Sequence, residues 1–94
     1  MNNKLTVTVE TGELKTIIVH DILESYAHEK SFIIYSFEDN PAELYGSILN
    51  EREEDFSLDT ITNPDEIKYI SAEIDRVANE LINEEENKQN IEGV

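Results

Sequence analysis

Carboxylates are the most abundant reactive groups in this chain. They are densest in the stretch ILNEREEDFSLD, Ile48 to Asp59, where Glu51, Glu53, Glu54 and Asp55 crowd around Arg52. Closely spaced carboxylates can hold a divalent cation, work as a general acid and base, or imitate nucleic-acid phosphates. A helix-flanked calcium loop needs oxygen ligands at alternate positions, glycine at the sixth and a bidentate glutamate at the twelfth. NEREEDFSLDTI puts Arg52 second, Asp55 sixth and Ile61 twelfth, so it makes no specific calcium site. A general acid needs burial to raise its pKa, and carboxylates in a turn are expected to be exposed.

The remaining chemistry is sparse. His20 and His28 lie eight residues apart, without the short spacings that let two imidazoles share a transition metal. They read as an edge polar residue and a turn residue. None of the serines at 25, 31, 36, 47, 57 and 71 sits in a GxSxG elbow, and Gly12, Gly46 and Gly93 are too scattered to cradle a phosphate. Cysteine is absent, which excludes disulfides, thiolate metal sites and cysteine nucleophiles. No catalytic, metal-binding or cofactor-binding residues are therefore assigned, and a non-enzymatic protein is expected.

The formal net charge is −15. Such an excess opposes direct binding to nucleic acid and to anionic membranes, both polyanions. It suits a protein partner with a basic surface, steered electrostatically. The contact residues expected are Glu51, Glu53, Glu54 and Asp55, with Glu38 and Asp39 from the preceding acidic turn and Tyr69 from a helix. The alternative is a nucleic-acid mimic that occupies a DNA- or RNA-binding cleft. Duplex DNA carries about one charge per 1.7 Å of axis, and a mimic must align its charges in one stripe. Here Lys15, Lys30, Arg52, Lys68 and Arg76 interrupt them. The start, MNNKLTVTVE, lacks the pattern of a secretory signal, and no apolar run is long enough to span a bilayer; a cytoplasmic location is expected.

The elements that must position these groups follow from periodicity. LTVTVE alternates Leu5, Val7 and Val9 against Thr6, Thr8 and Glu10, as a half-buried strand does. TGE turns the chain into LKTIIV. DILESYAH reads either as a helix, with Ile22, Leu23, Tyr26 and Ala27 on one face, or as a continuing bulged strand. HEK then leads into SFIIYSF, apolar on both faces and so buried on both sides. Asn40-Pro41 signals a turn, and ELYGSIL is a further strand in which Gly46 marks a bulge or a close backbone approach. FSLDTI is the last strand.

The helix that follows has Asn63 as N-cap, Pro64 in its first position and Glu66 placed for a capping box. Its apolar stripe is Ile67, Ile70, Ile74, Val77, Ala78 and Leu81, opposite a charged ladder of Glu73, Arg76 and Glu80. Tyr69 falls on the ladder side, where an exposed tyrosine among charges suits a protein contact; it could equally cover the sheet edge. NEEENKQNIEGV has too little apolar material to fold.

The order TVTVETG, DILESYAHEKSFIIYSF, ELYGSIL and FSLDTITNPDEIKYI, with acidic turns between, resembles the YrzB-like family. These are small acidic bacterial proteins, mainly from Firmicutes, built on a domain of unknown function. The resemblance covers residues 4 to 82, implies a strand rather than a helix for DILESYAH, and carries over no catalytic residues. The expectation is an α+β domain over 1–82, an antiparallel β-meander of about five strands with one C-terminal α-helix packed on one face. An acidic, disordered tail is expected over 83–94. The two acidic turns are successive in the meander and so belong at opposite ends of the sheet.

Overall fold

In the computed structural model the chain is described over residues 3–53 and 55–92, with side chains described as far as Ile82. The alternating first segment forms β1 (Lys4–Thr8), and the strands β2 (Leu14–Ser25), β3 (Lys30–Phe37), β4 (Asn40–Glu51) and β5 (Phe56–Asp59) follow. A single helix, α1, is assigned over Pro64–Glu92. The fold is the expected α+β arrangement. The tail expected over 83–94 lies outside the residues described with side chains.

Successive strands pair antiparallel, with registers that include Leu5↔Ile17, Ile22↔Ile33, Ile33↔Ser47 and Leu49↔Leu58. The sheet also closes on itself. Strands that alternate direction in an odd-numbered meander must bring the first and last together in parallel, and β1 meets β5 at Thr8↔Ser57. Closure into a barrel goes beyond the expected meander.

DILESYAH resolves as strand as far as Ser25, with the ladder slipping one residue at His20, between Val19↔Tyr35 and Asp21↔Ile34. The helix alternative is thus excluded. Ile22 and Leu23 stand opposite Ile33 and Phe32 in the ladder with β3, which a helix could not form. Tyr26 lies beyond the strand in the turn before β3, and it is 91% exposed. In that turn Glu29 takes a left-handed backbone conformation, φ 55°.

The acidic β3–β4 loop is the pair Glu38-Asp39, since Phe37 already faces Asn40. Pro41 therefore lies inside β4 and not in the turn. It is tolerated because the ladder is broken there, with four residues of β4 opposite Ser36 alone between Phe37↔Asn40 and Tyr35↔Tyr45. Proline has no N–H to give a regular rung.

Residues of β3 alternate between two cores. Ile33 and Tyr35 point into the barrel with Val7, Ile17, Leu49 and Leu58. Phe32 and Ile34 point outward, beneath α1, with Ile61, Ile70 and Val77. That matches the two-sided apolarity of SFIIYSF. Gly46 is where α1 comes closest to β4, because a Cβ there would stand 2.5 Å from Ile70 Cγ1 and 3.2 Å from Ile74 Cδ1. Of the two sequence readings for this glycine, the close approach holds.

α1 begins as its sequence requires. Asn63 Oδ1 accepts the N–H groups of Asp65 (2.9 Å) and Glu66 (3.4 Å), with Pro64 in the first turn. Its buried face is rotated from the expected stripe. Ile70, Ile74 and Val77 pack inward, but Ile67 and Leu81 are exposed, and Glu66 and Tyr69 take buried or half-buried places instead. Glu66 meets Lys30, the first residue of β3, and Tyr69 one turn on packs against the Phe32 ring.

Candidate functional site

The acidic β4–β5 turn is a compact loop. Glu51 forms the last rung with Phe56, and the Arg52 N–H donates to the Asp55 carbonyl at 2.8 Å. Glu51, Glu53 and Asp55 are all exposed; Glu54 lies outside the described residues. The other acidic turn carries Glu38 and Asp39, also exposed, at the opposite end of β4 as the meander requires. The structure therefore separates the two groups of expected contact residues.

The cations divide the turns further. Lys4 pairs with Glu38 at 2.8 Å, and Lys30 holds Glu66. Arg76 binds Glu73 (2.7 Å), Asp21 (2.8 Å) and Glu80 (2.9 Å), and these three carboxylates raise its pKa further. The expected Glu73–Arg76–Glu80 ladder is present, and Asp21 extends it onto β2. Among the described residues no ion pair involves Glu51, Glu53 or Asp55. These three carboxylates of the β4–β5 turn thus stay out of ion pairs among the described residues, with Arg52 the one cation among them in sequence, whereas Glu38 is partly neutralised.

Tyr69 packs over β3 and the β2–β3 turn instead of standing free among charges or covering an edge strand. Its ring lies 5.5 Å from Phe32 and 5.2 Å from His28. The helix rotation that exposes Ile67 is what turns Tyr69 inward. His28 Nδ1 is 2.7 Å from Ser25 Oγ, a contact that spans the β2–β3 turn. A serine–histidine pair is the beginning of a nucleophile–base arrangement. However, among the described residues no carboxylate bonds the ring, and its flank is packed on Phe32 and Tyr69. The pair closes a turn.

His20, the bulge residue, bonds Ser36 across the sheet at 2.9 Å, and burial lowers its pKa. Elsewhere Glu10 accepts the N–H of Thr60, which lowers its pKa, and a hydrogen bond with Glu43 raises that of Tyr45. Among the described residues no group of three or more histidine or acidic side chains is placed to hold a metal ion. No helix there is long and apolar enough to cross a membrane.

Comparison with known families, characterised proteins and solved structures gives no match.

One feature escaped sequence reasoning. A shallow, open cavity of about 520 Å³ lies at one mouth of the barrel, with Leu5, Val19, Ile22 and Phe56 as its apolar lining and Lys4, His20 and Glu51 among the polar groups beside it. Leu5, Val19 and Phe56 flank the barrel core, and Ile22 is 47% exposed. Alternation groups Leu5 with Val7 and Phe56 with Leu58, but Val19 and Ile22 share a side only because of the bulge at His20, and only the closed barrel shows that all four line an open mouth beside the acidic turn.

Proposed function

We propose that this protein is a non-catalytic acidic module of the cytoplasm that engages a basic surface on a partner protein through its β4–β5 turn. One observation carries the reading. Glu51, Glu53 and Asp55 are exposed and, among the described residues, take part in no ion pair, while Lys4, Lys30 and Arg76 are committed to other carboxylates. A turn whose carboxylates outnumber its one cation, Arg52, speeds encounter with a cationic surface and suppresses encounter with anionic ones. The likeness to the YrzB-like family is compatible with a binding module and adds no activity.

The test is charge reversal of Glu51, Glu53 and Asp55 to lysine, against the same change at Glu38 and Asp39. Capture from nuclease-treated lysate at low and high salt should yield a salt-sensitive protein partner that the first variant loses and the second retains. Equal capture by wild type and both variants would overturn the reading. If the partner is a nucleic-acid enzyme and the first variant no longer competes with DNA for it, the chain is a mimic instead.

A further inference from the structure

β2 is longer than the strand beside it. Pairing with β1 stops at Lys4↔Ile18, followed by a single bond from the Val19 N–H to the Asn3 carbonyl at 2.7 Å, while β2 continues to Ser25. On its other side β2 stays paired with β3 to Ser25↔Lys30. Among the described residues, Ile22–Ser25 therefore presents one edge with no neighbouring strand. Unpaired edges of this kind accept extended segments from other chains.

The cavity lies beside this edge, and an added strand running on from the position of β1 would aim alternate side chains at it. Its walls, Leu5, Val19, Ile22 and Phe56, suit an aliphatic or aromatic side chain. Glu51, without an ion pair among the described residues, stands beside it, and Glu53 and Asp55 follow beyond Arg52 in the turn. Lys4, the cation of the rim, is held by Glu38. His20 is pushed toward its neutral form by burial. The surroundings thus favour a cation close to an apolar group.

We propose that the mouth of the barrel is a docking groove for an extended basic segment of a protein partner. The segment adds to the free edge of β2 at Ile22–Ser25, buries one apolar side chain against Leu5, Val19, Ile22 and Phe56, and sets a lysine or arginine against Glu51. This inference rests on the acidic-turn reading and narrows it from a charged surface to a motif. Backbone pairing would supply affinity, and the pocket and the carboxylate would supply selectivity.

The test titrates the isotope-labelled full chain with a short peptide in which lysines alternate with valines around one central leucine, followed by amide chemical shifts. Saturable shifts centred on Leu5, Val19, Ile22, Glu51 and Phe56 are expected. Replacing the central leucine by alanine should weaken binding about tenfold. Methylating alternate peptide nitrogens should weaken it similarly, since it removes the strand-pairing donors. Ile22→Lys and Glu51→Gln should each reduce affinity, and Glu51→Gln, at an exposed site, should leave the amide spectrum otherwise unchanged. Shifts confined to Arg52–Asp55, equal for the leucine and alanine peptides, would overturn the groove and leave the acidic-turn reading standing. Absence of binding by any of the peptides would overturn the groove too, while partner capture would still judge the turn by itself.

Discussion

Lys30 Nζ is bonded to both carboxylate oxygens of Glu66, at 2.9 and 3.1 Å, joining the first residue of β3 to the first turn of α1. The Glu66 side chain is only 6% exposed, against 40% for Lys30. The lysine therefore acts as a lid that allows a carboxylate to sit beneath the helix. Glu66 is also helped by its place in the first turn, where backbone N–H groups favour negative charge. Its carboxylate bonds Lys30, and not the N–H of Asn63 that a capping box would require.

Removing the lysine should do more harm than removing both partners. Lys30→Ala leaves the buried carboxylate without its cation and should cost about 2–3 kcal/mol, reduced from the fully buried case because Lys30 is partly solvated. Lys30→Ala combined with Glu66→Leu should recover most of that loss. Urea unfolding of the two variants and wild type measures the difference; equal losses in single and double variants would contradict it.

Gly46 should tolerate no side chain while Ile70 is present. A Cβ at 2.5 Å from Ile70 Cγ1 forces the isoleucine or the helix to move, so Gly46→Ala should destabilise by about 1–3 kcal/mol. In an Ile70→Ala background only the milder approach of Ile74 Cδ1, 3.2 Å, is left, and the added cost of Gly46→Ala should fall to less than half. A double-mutant cycle reports this coupling directly.

The rotated helix face predicts unequal isoleucines. Ile70, 5% exposed, should cost about 2–4 kcal/mol when cut to alanine. Ile67, 44% exposed on the same nominal stripe, should accept lysine within about 0.5 kcal/mol. Thermal or urea denaturation of Ile70→Ala and Ile67→Lys separates this face from the one drawn by periodicity alone.

His20 should make stability fall with acidification near its titration. Burial places its folded pKa below the ordinary 6.5, so the unfolded chain binds the proton first. Stability is then lost as pH falls below the unfolded value, and it levels off once the folded pKa is passed. His20→Gln removes this proton uptake. The difference in unfolding free energy between wild type and variant, followed from about pH 7.5 to about pH 5.5, should shrink for wild type relative to the variant. Parallel curves would mean that His20 titrates alike in both states.

Local pattern in the sequence reads through well where contacts are local. Alternation in LTVTVE, the two-sided apolarity of SFIIYSF and the Asn63-Pro64 start of the helix each reflect neighbours a few residues away, and each survives in the fold. Barrel closure leaves no such mark, because it depends on Thr8 meeting Ser57 across about half of the chain. The burial of Glu66 is equally hidden, since its partner Lys30 is distant in sequence. Ile67 looked like core and Tyr69 like surface because a helical wheel shows which residues share a face but not where the sheet lies. Among the expected contact residues, Glu51, Glu53 and Asp55 are together and exposed, Glu38 and Asp39 are exposed at the other end, and Tyr69 packs inward.

A wall shared by two rooms cannot be removed from one alone. β3 serves the barrel interior with Ile33 and Tyr35 and the helix layer with Phe32 and Ile34. Losing its register by a single residue would exchange the two sets and empty both compartments together. The molecule has two cores but one point of failure, so barrel and helix should melt in a single transition.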